Sequence, residues 1–297
     1  MARMHTVTNV RPSPLAGQWY PADSEQLAHS IDAYLDQAAV PSLHGELLAL
    51  VTPHAGHTYS GPVAGHAFAT LKGASPELVV ILSPMHQPYA EPLLTTIHEA
   101  YHTPLGDVAV DQETLGKLTR AMRDQTGVKI ISVERDKEHA VEIELPFLQR
   151  VLPEEFKFIP IMIRNQDPAL MQALAYVLAE HLPLHESLLI ASTDLSHFHP
   201  AQKARSLDRT IIDHILNLDP EGIYQAENNK TGFACGKGAL ATTLWAVKQI
   251  GADHARLLNY GHSGEVTGDN TRVVGYAAAA ITKMVHSPFR SESLPAS

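Results

Sequence analysis

Leu47-Leu-Ala-Leu-Val-Thr-Pro-His-Ala-Gly-His-Thr-Tyr-Ser-Gly-Pro62 is the stretch on which the reading of this chain turns. Its first half is a short apolar run, which suits a buried strand. Pro53 ends the strand ladder because it has no N–H to donate. Gly56 lets the backbone bend tightly. Ser60 before Gly61-Pro62 reads as a helix N-cap with proline near the start. His54 and His57 therefore sit past the carboxyl end of a strand and before a helix. In open α/β sheets that edge is where ligands bind.

Three later segments have the same form. Leu78-Val-Val-Ile-Leu-Ser-Pro-Met-His86, Leu188-Leu-Ile-Ala-Ser-Thr-Asp-Leu-Ser-His197 and Thr231-Gly-Phe-Ala-Cys-Gly236 each end in residues that bind metals or move protons. Between them the pattern alternates. Ser24 is positioned to cap a helix over 25–38, whose Leu27, Ile31, Tyr34 and Leu35 share one face. Strands are expected at 47–52, 78–83, 93–97, 128–133, 158–163, 187–192, 255–260 and 273–282. Further helices are expected at 61–72, 111–125, 138–152, 168–181, 201–217, 219–228 and 237–250, with Pro146 kinking or breaking the third of these. Strands alternating with helices predict one α/β domain over residues 1–297, with a mixed, mostly parallel central sheet and helices on both faces. Residues 1–9 and the Ser- and Pro-bearing end, 287–297, read as mobile tails.

The 297 residues are 44% hydrophobic and 18% charged, an ordinary globular composition. With 32 acidic and 22 basic residues the formal charge is −10, and no basic stripe appears, which argues against nucleic-acid binding. No apolar run reaches the roughly 18 residues of a membrane helix, and the N-terminus has no signal-peptide core. A single cysteine excludes an internal disulfide and suits a reducing compartment, so a cytoplasmic location is expected. There is no P-loop, no G-x-S-x-G elbow and no H-E-x-x-H. Gly236-Lys-Gly-Ala-Leu-Ala241 has the G-x-G-x-x-A form but follows no buried strand, so the dinucleotide reading fails.

Histidine is abundant, at 18 residues, so position must decide which ones matter. His54 and His86 each follow a strand and a proline. Singly, each reads as well as a loop residue bonded to its own turn; the repetition at two strand ends points to a shared metal. Cys235, flanked by Gly232, Gly236 and Gly238, adds a soft ligand, although a lone cysteine is also a common inert core residue. Three ligands would leave open positions, as in a catalytic site. In its glycine-flanked turn Cys235 is expected to ionise more readily than a free thiol. Asp194 and His197 face the same way if a helical turn follows the strand. Asp194 would then orient the imidazole for proton transfer, or simply cap the turn. Glu138, His139 and Glu142 fall on one stretch of the expected 138–152 helix, a pattern that also suits a solvated face.

Six motifs in order resemble one family. They are Val10-Arg-Pro12 with Ala16-Gly-Gln-Trp-Tyr-Pro21, Pro53-His-Ala-Gly56 with Tyr59-Ser-Gly61, and Glu138-His-Ala-Val-Glu142 before Leu145-Pro-Phe-Leu148. Thr193-Asp-Leu-Ser-His197, Ala234-Cys-Gly236 and Val266-Thr-Gly-Asp269 complete the set. The chain resembles the Memo family, named for a mediator of ErbB-driven cell motility, whose prokaryotic members are called AmmeMemoRadiSam system protein B. That resemblance implies a fold similar to the class III extradiol, LigB-type, dioxygenases. It places His54, His86 and Cys235 at metal-site positions and Asp194 and His197 as the other polar, catalytic residues of the cleft. His139, Glu142 and His57 would line that cleft. Ser83-Pro-Met-His86 departs from the family's Gly-Pro pattern, and Met85 would narrow or dry the site.

The resemblance implies one transition-metal ion, iron or copper first and zinc after them, because a thiolate stands where ring-cleaving enzymes have a carboxylate. The leading expectation is a redox or dioxygenase-like enzyme acting on a small molecule. Two others stand beside it: a non-catalytic protein whose cleft takes a peptide or partner segment, and an iron or copper carrier or sensor. The family name implies a pathway link to AMMECR-like and radical-SAM proteins.

Overall fold

In the computed structural model residues 8–153, 155–183 and 186–284 are described. The chain opens with β1 (Val10–Arg11) and α1 (Ser24–Gln37), then β2 (Glu46–Thr52), α2 (His57–Phe68) and β3 (Leu78–Pro84). Short strands follow, β4 (Leu93–Thr96), β5 (Ala100–Thr103) and β6 (Gly106–Ala109), before α3 (Gln112–Thr126) and β7 (Ile130–Val133). Next come α4 (Leu145–Val151), β8 (Lys157–Ile163), α5 (Pro168–His181), β9 (Ser187–Ser192) and β10 (His197–His199). Helices α6 (Ala201–Leu216), α7 (Pro220–Asn228) and α8 (Lys237–Gln249) precede β11 (His254–His262), the single turn α9 (Gly264–Thr267) and β12 (Val273–Lys283).

The main sheet runs β10-β12-β2-β9-β3-β8-β4-β7, with β11 also pairing β12. Its centre, β2, β9, β3 and β8, is parallel. The antiparallel partners β12 and β4 extend it on either side. The parallel strands are buried along nearly their whole length, which explains their unbroken apolar runs. Helices α1, α2 and α4 pack together, with α2 on β2, β11 and β12. On the other side α8 crosses β3, β9 and β2, backed by α5 and α7. The sheet and both layers share one contiguous apolar core. A separate three-stranded sheet, β1-β5-β6, was not signalled by periodicity, because its strands span only two to four residues. No helix of the described residues is long and apolar enough to cross a membrane.

The structure departs from the expected local pattern at four places. Helix α1 is capped by Asp23, which accepts from Gln26 N–H, and not by Ser24. Helix α2 begins a turn early, at His57, so Ser60 is no cap; its hydroxyl donates to the Ala55 carbonyl at 2.7 Å. Its small residues have a packing cause. A Cβ on Gly61 would lie 2.5 Å from the Tyr34 ring, and one on Gly65 would lie 2.6 Å from the Tyr34 carbonyl oxygen. The 138–152 segment is not one helix. Residues 138–141 are irregular, 142–144 make a single 3₁₀ turn, and Pro146 sits in the first turn of α4, where a missing N–H costs nothing. The backbone N–H groups of Glu138, His139 and Ala140 donate to the carboxylates of Asp136 and Glu138, and the Glu138 carbonyl accepts from Arg11.

The turn expected after Asp194 is also extended. Leu195 N–H donates to the Gly275 carbonyl and Gly275 N–H to the Ser196 carbonyl, which draws the segment along β12 and puts His197 in β10. The segments expected to be mobile tails lie outside the described residues except for Thr8 and Asn9. Those two are tied to the Glu99 carboxylate and the Ile97 carbonyl.

Candidate metal centre

The carboxyl ends of β2, β3 and β9 converge, and each delivers a polar residue to the same place. Pro53 and Pro84 stop the first two strands, and His54 and His86 follow. The ring of His54 meets that of His86 edge-on at 5.3 Å and that of His139 edge-on at 5.2 Å. His86 and His139 stack at 4.6 Å. One ring nitrogen from each imidazole lies within 4.8 Å of the others, so the three can share one ion.

Each imidazole is held from behind. His54 Nδ1 lies 3.0 Å from the Ser192 hydroxyl, which itself donates to the Ala140 carbonyl. His86 Nδ1 is 2.9 Å from Glu138 Oε1, and the His86 backbone N–H donates to Glu138 Oε2 at 2.6 Å. His139 Nδ1 is 3.2 Å from the same Glu138 oxygen, and its ring rests against Trp19 at 4.2 Å. A carboxylate behind a ligating imidazole fixes its tautomer and raises its basicity.

The electrostatics suit a cation. Burial would raise the Glu138 carboxyl, but the hydrogen bond and charge of His86, with His139, outweigh it and hold it at about 2. Burial, then the neighbouring His86, pushes His54 down to about 3, and burial with His54 does the same to His139. At neutral pH the site therefore pairs the neutral His54 and His139 imidazoles, lone pairs available, with an ionised carboxylate. That donor set fits a borderline transition-metal ion.

Cys235 reaches the same cluster. Its Sγ is 3.2 Å from His54 Nε2 and accepts from Asp194 N–H at 3.2 Å. Gly236 permits this approach, since a Cβ there would lie 2.7 Å from the Ser192 carbonyl oxygen. The ready ionisation expected of this thiol is not what the structure supports. Burial, then the Asp194 charge, raises its pKa above that of a free thiol.

Asp194 and His197 border the cluster, but no hydrogen bond joins their side chains among the described residues. Asp194 Oδ1 accepts from the His54 backbone N–H at 2.8 Å, so it secures the His54 turn. Burial raises the Asp194 carboxyl and lowers His197, against the pull of each on the other.

Glu142 and His57 are directed elsewhere. Glu142 accepts from Arg11 at 2.5 Å, from Ser13 and from Tyr20. His57 Nε2 lies 2.9 Å from the Ile143 carbonyl oxygen, and its ring sits between Tyr20 and Phe147. Both are buried core residues here, held by these partners and not by the cluster. Met85 is also in the core, 2% exposed, its N–H donating to the Ile163 carbonyl.

Sequence reasoning placed His139 in the lining and gave Glu138, Trp19 and Ser192 no role. Adjacency of Glu138 to His139 was the available signal.

Comparison with known proteins agrees with this architecture. A family model described as Memo-like protein matches residues 11–280. The MEMO1 family protein of Methanococcoides burtonii is 38% identical over 280 residues, 92% of this chain and 100% of that protein. That of Methanopyrus kandleri is 37% identical, covering 90% of this chain and 97% of its own. That of Nitrosopumilus maritimus is 32% identical, covering 91% and 98%. Among solved structures, an uncharacterized protein from Escherichia coli K12 matches with a TM-score of 0.52 at 14% identity, over 78% of this chain and 99% of its own, a likeness of fold. With its relatives aligned from end to end, the chain belongs to the Memo family.

Proposed function

We propose that this cluster holds one transition-metal ion and that the chain is a redox, dioxygenase-like enzyme acting on a small molecule in a reducing, cytoplasmic compartment. The observation that carries the reading is the convergence of three imidazoles, two of them backed by the ionised Glu138. His54, His86 and His139 would hold the ion, with Cys235 as a further donor beside His54. Iron or copper suits imidazoles with a thiol, and zinc also accepts this set. Such an ion, when bound, supplies redox chemistry and polarises a bound substrate oxygen.

The chain's own residues do the rest. Trp19 packs against one face of the His139 ring. Asp194 fixes the His54 turn through the backbone. His197, held below the ordinary imidazole range by burial, is neutral at pH 7 and suited to accept a proton from substrate. The test is turnover of catechol-like compounds by wild type and His197→Ala after loading with Fe(II) or Cu. Turnover should fall by roughly 10²–10⁴ in the variant with its metal content kept. Loss of the metal in His197→Ala would make it a ligand instead. Metal-loaded wild type that turns over nothing would favour the carrier reading.

A further inference from the structure

His197 has a second face. It forms one wall of a cavity of about 490 Å³, whose other sides are His199, Lys203, Leu207, Lys230 and Phe233. The His197 ring meets Phe233 edge-on at 5.5 Å and leans on Phe198 at 5.6 Å. Phe198 and Phe233 are exposed, large and apolar, and the buried Leu207 also lines the cavity. The cavity therefore has flat walls at Phe233 and at His197, the residue that borders the imidazole cluster.

Its charge is unlike that of the rest of the molecule. The chain carries a formal −10, yet Lys203 and Lys230 both line this cavity and neither has an ion-pair partner among the described residues. The acidic residue of the lining, Glu227, is already engaged by Lys237. Arg272 lies over the Phe198 ring at 5.4 Å, adding a third cation at the margin. Lys203 is in the first turn of α6, which has no side-chain cap, and a helix start favours negative charge.

We propose that this cavity binds the anionic end of the substrate, a small organic acid with a planar apolar body. The carboxylate or phosphate would sit between Lys203 and Lys230, and the flat body would lie along Phe233 and His197 toward the cluster. This rests on the enzyme reading above for its purpose, but the binding itself needs no metal.

The test is calorimetric titration of the metal-free full chain with benzoate, phenyl phosphate and the neutral isostere benzamide. Benzoate or phenyl phosphate should bind at least about tenfold more tightly than benzamide, the worth of one charge-assisted contact. Which of the two anions binds better distinguishes a carboxylate from a phosphate ligand. Affinity should fall as salt is raised. Lys203→Gln and Lys230→Gln should each lose about tenfold for the anions and little for benzamide. Equal binding of benzamide and both anions, unchanged affinity in both lysine variants, or no binding of any probe would overturn the proposal. Metal content measured on the same preparations keeps the two readings apart: lysine variants that bind metal normally but not benzoate support the cavity, whereas wild type that binds benzoate but no metal sinks only the metal centre.

Discussion

Cys235 shows how far a residue's chemistry depends on what the fold packs around it. Glycines on either side suggested an open, reactive thiol. The structure instead turns Sγ inward, onto Asp194 N–H and His54 Nε2, where burial and the Asp194 charge raise its pKa. The metal-free protein should therefore react with a thiol-alkylating reagent at pH 7 at least about tenfold more slowly than a free cysteine, since each unit of pKa removes tenfold of thiolate. Alkylation as fast as that of a small free thiol would contradict this placement. His54 and His86 were legible because a proline and a strand end precede each of them. The parts of Glu138 and His139 were not, because neither lies at a strand end. Glu138 meets His86 across 52 residues of sequence, a contact no local pattern encodes.

The 136–142 loop is the element that carries Glu138 and His139, and it is held by a residue far away in sequence. Arg11, on β1 and 2% exposed, pairs with Asp136 at 2.9 Å and with Glu142, and donates to the Glu138 carbonyl at 3.0 Å. Its guanidinium also lies over the Tyr101 ring at 4.6 Å. Removing one partner of a buried ion network leaves the others uncompensated. Arg11→Met should lower unfolding free energy by roughly 3–5 kcal/mol in a denaturant titration, and should weaken metal uptake because the loop is loosened. A variant as stable as wild type would show that the network does not hold the loop. The expected 138–152 helix failed for the same reason. Amphipathic spacing was present, but Arg11 takes the Glu138 carbonyl that a helix would have offered to the N–H four residues on. The parallel strands and the helix at 168–181 were legible because the strands carry unbroken apolar runs and the helix its own Asp167 cap with proline at its start.

Across the whole molecule, buried titrating groups set the response to pH. Burial raises Glu144 to about 8, against a hydrogen bond from Thr52. The folded chain keeps that proton while the unfolded chain loses it near the ordinary carboxyl pKa. Its contribution to stability is present below about 4.5 and is lost as pH rises toward about 8. His57, pushed down to about 4 by burial, acts in the other direction. The unfolded chain takes up that proton near 6.5 and the folded chain does not, so stability is lost as pH falls from about 6.5 to about 4. Glu144→Gln should remove the alkaline decline, so that the variant gains on wild type between pH 5 and 8, followed by thermal unfolding of metal-free protein. Parallel curves for the two proteins would mean that Glu144 is already ionised in the fold.

The central claim is that three imidazoles converge to hold one ion. The direct measurement is element-resolved metal analysis of wild type, His54→Ala, His86→Ala and His139→Ala, each loaded anaerobically with Fe(II), Cu(I) or Zn(II) and freed of excess. The account predicts about one ion per wild-type chain, the stoichiometry of a single shared site, and a large loss in each variant. Wild type that retains none of the three metals, or variants that retain as much as wild type, would contradict it.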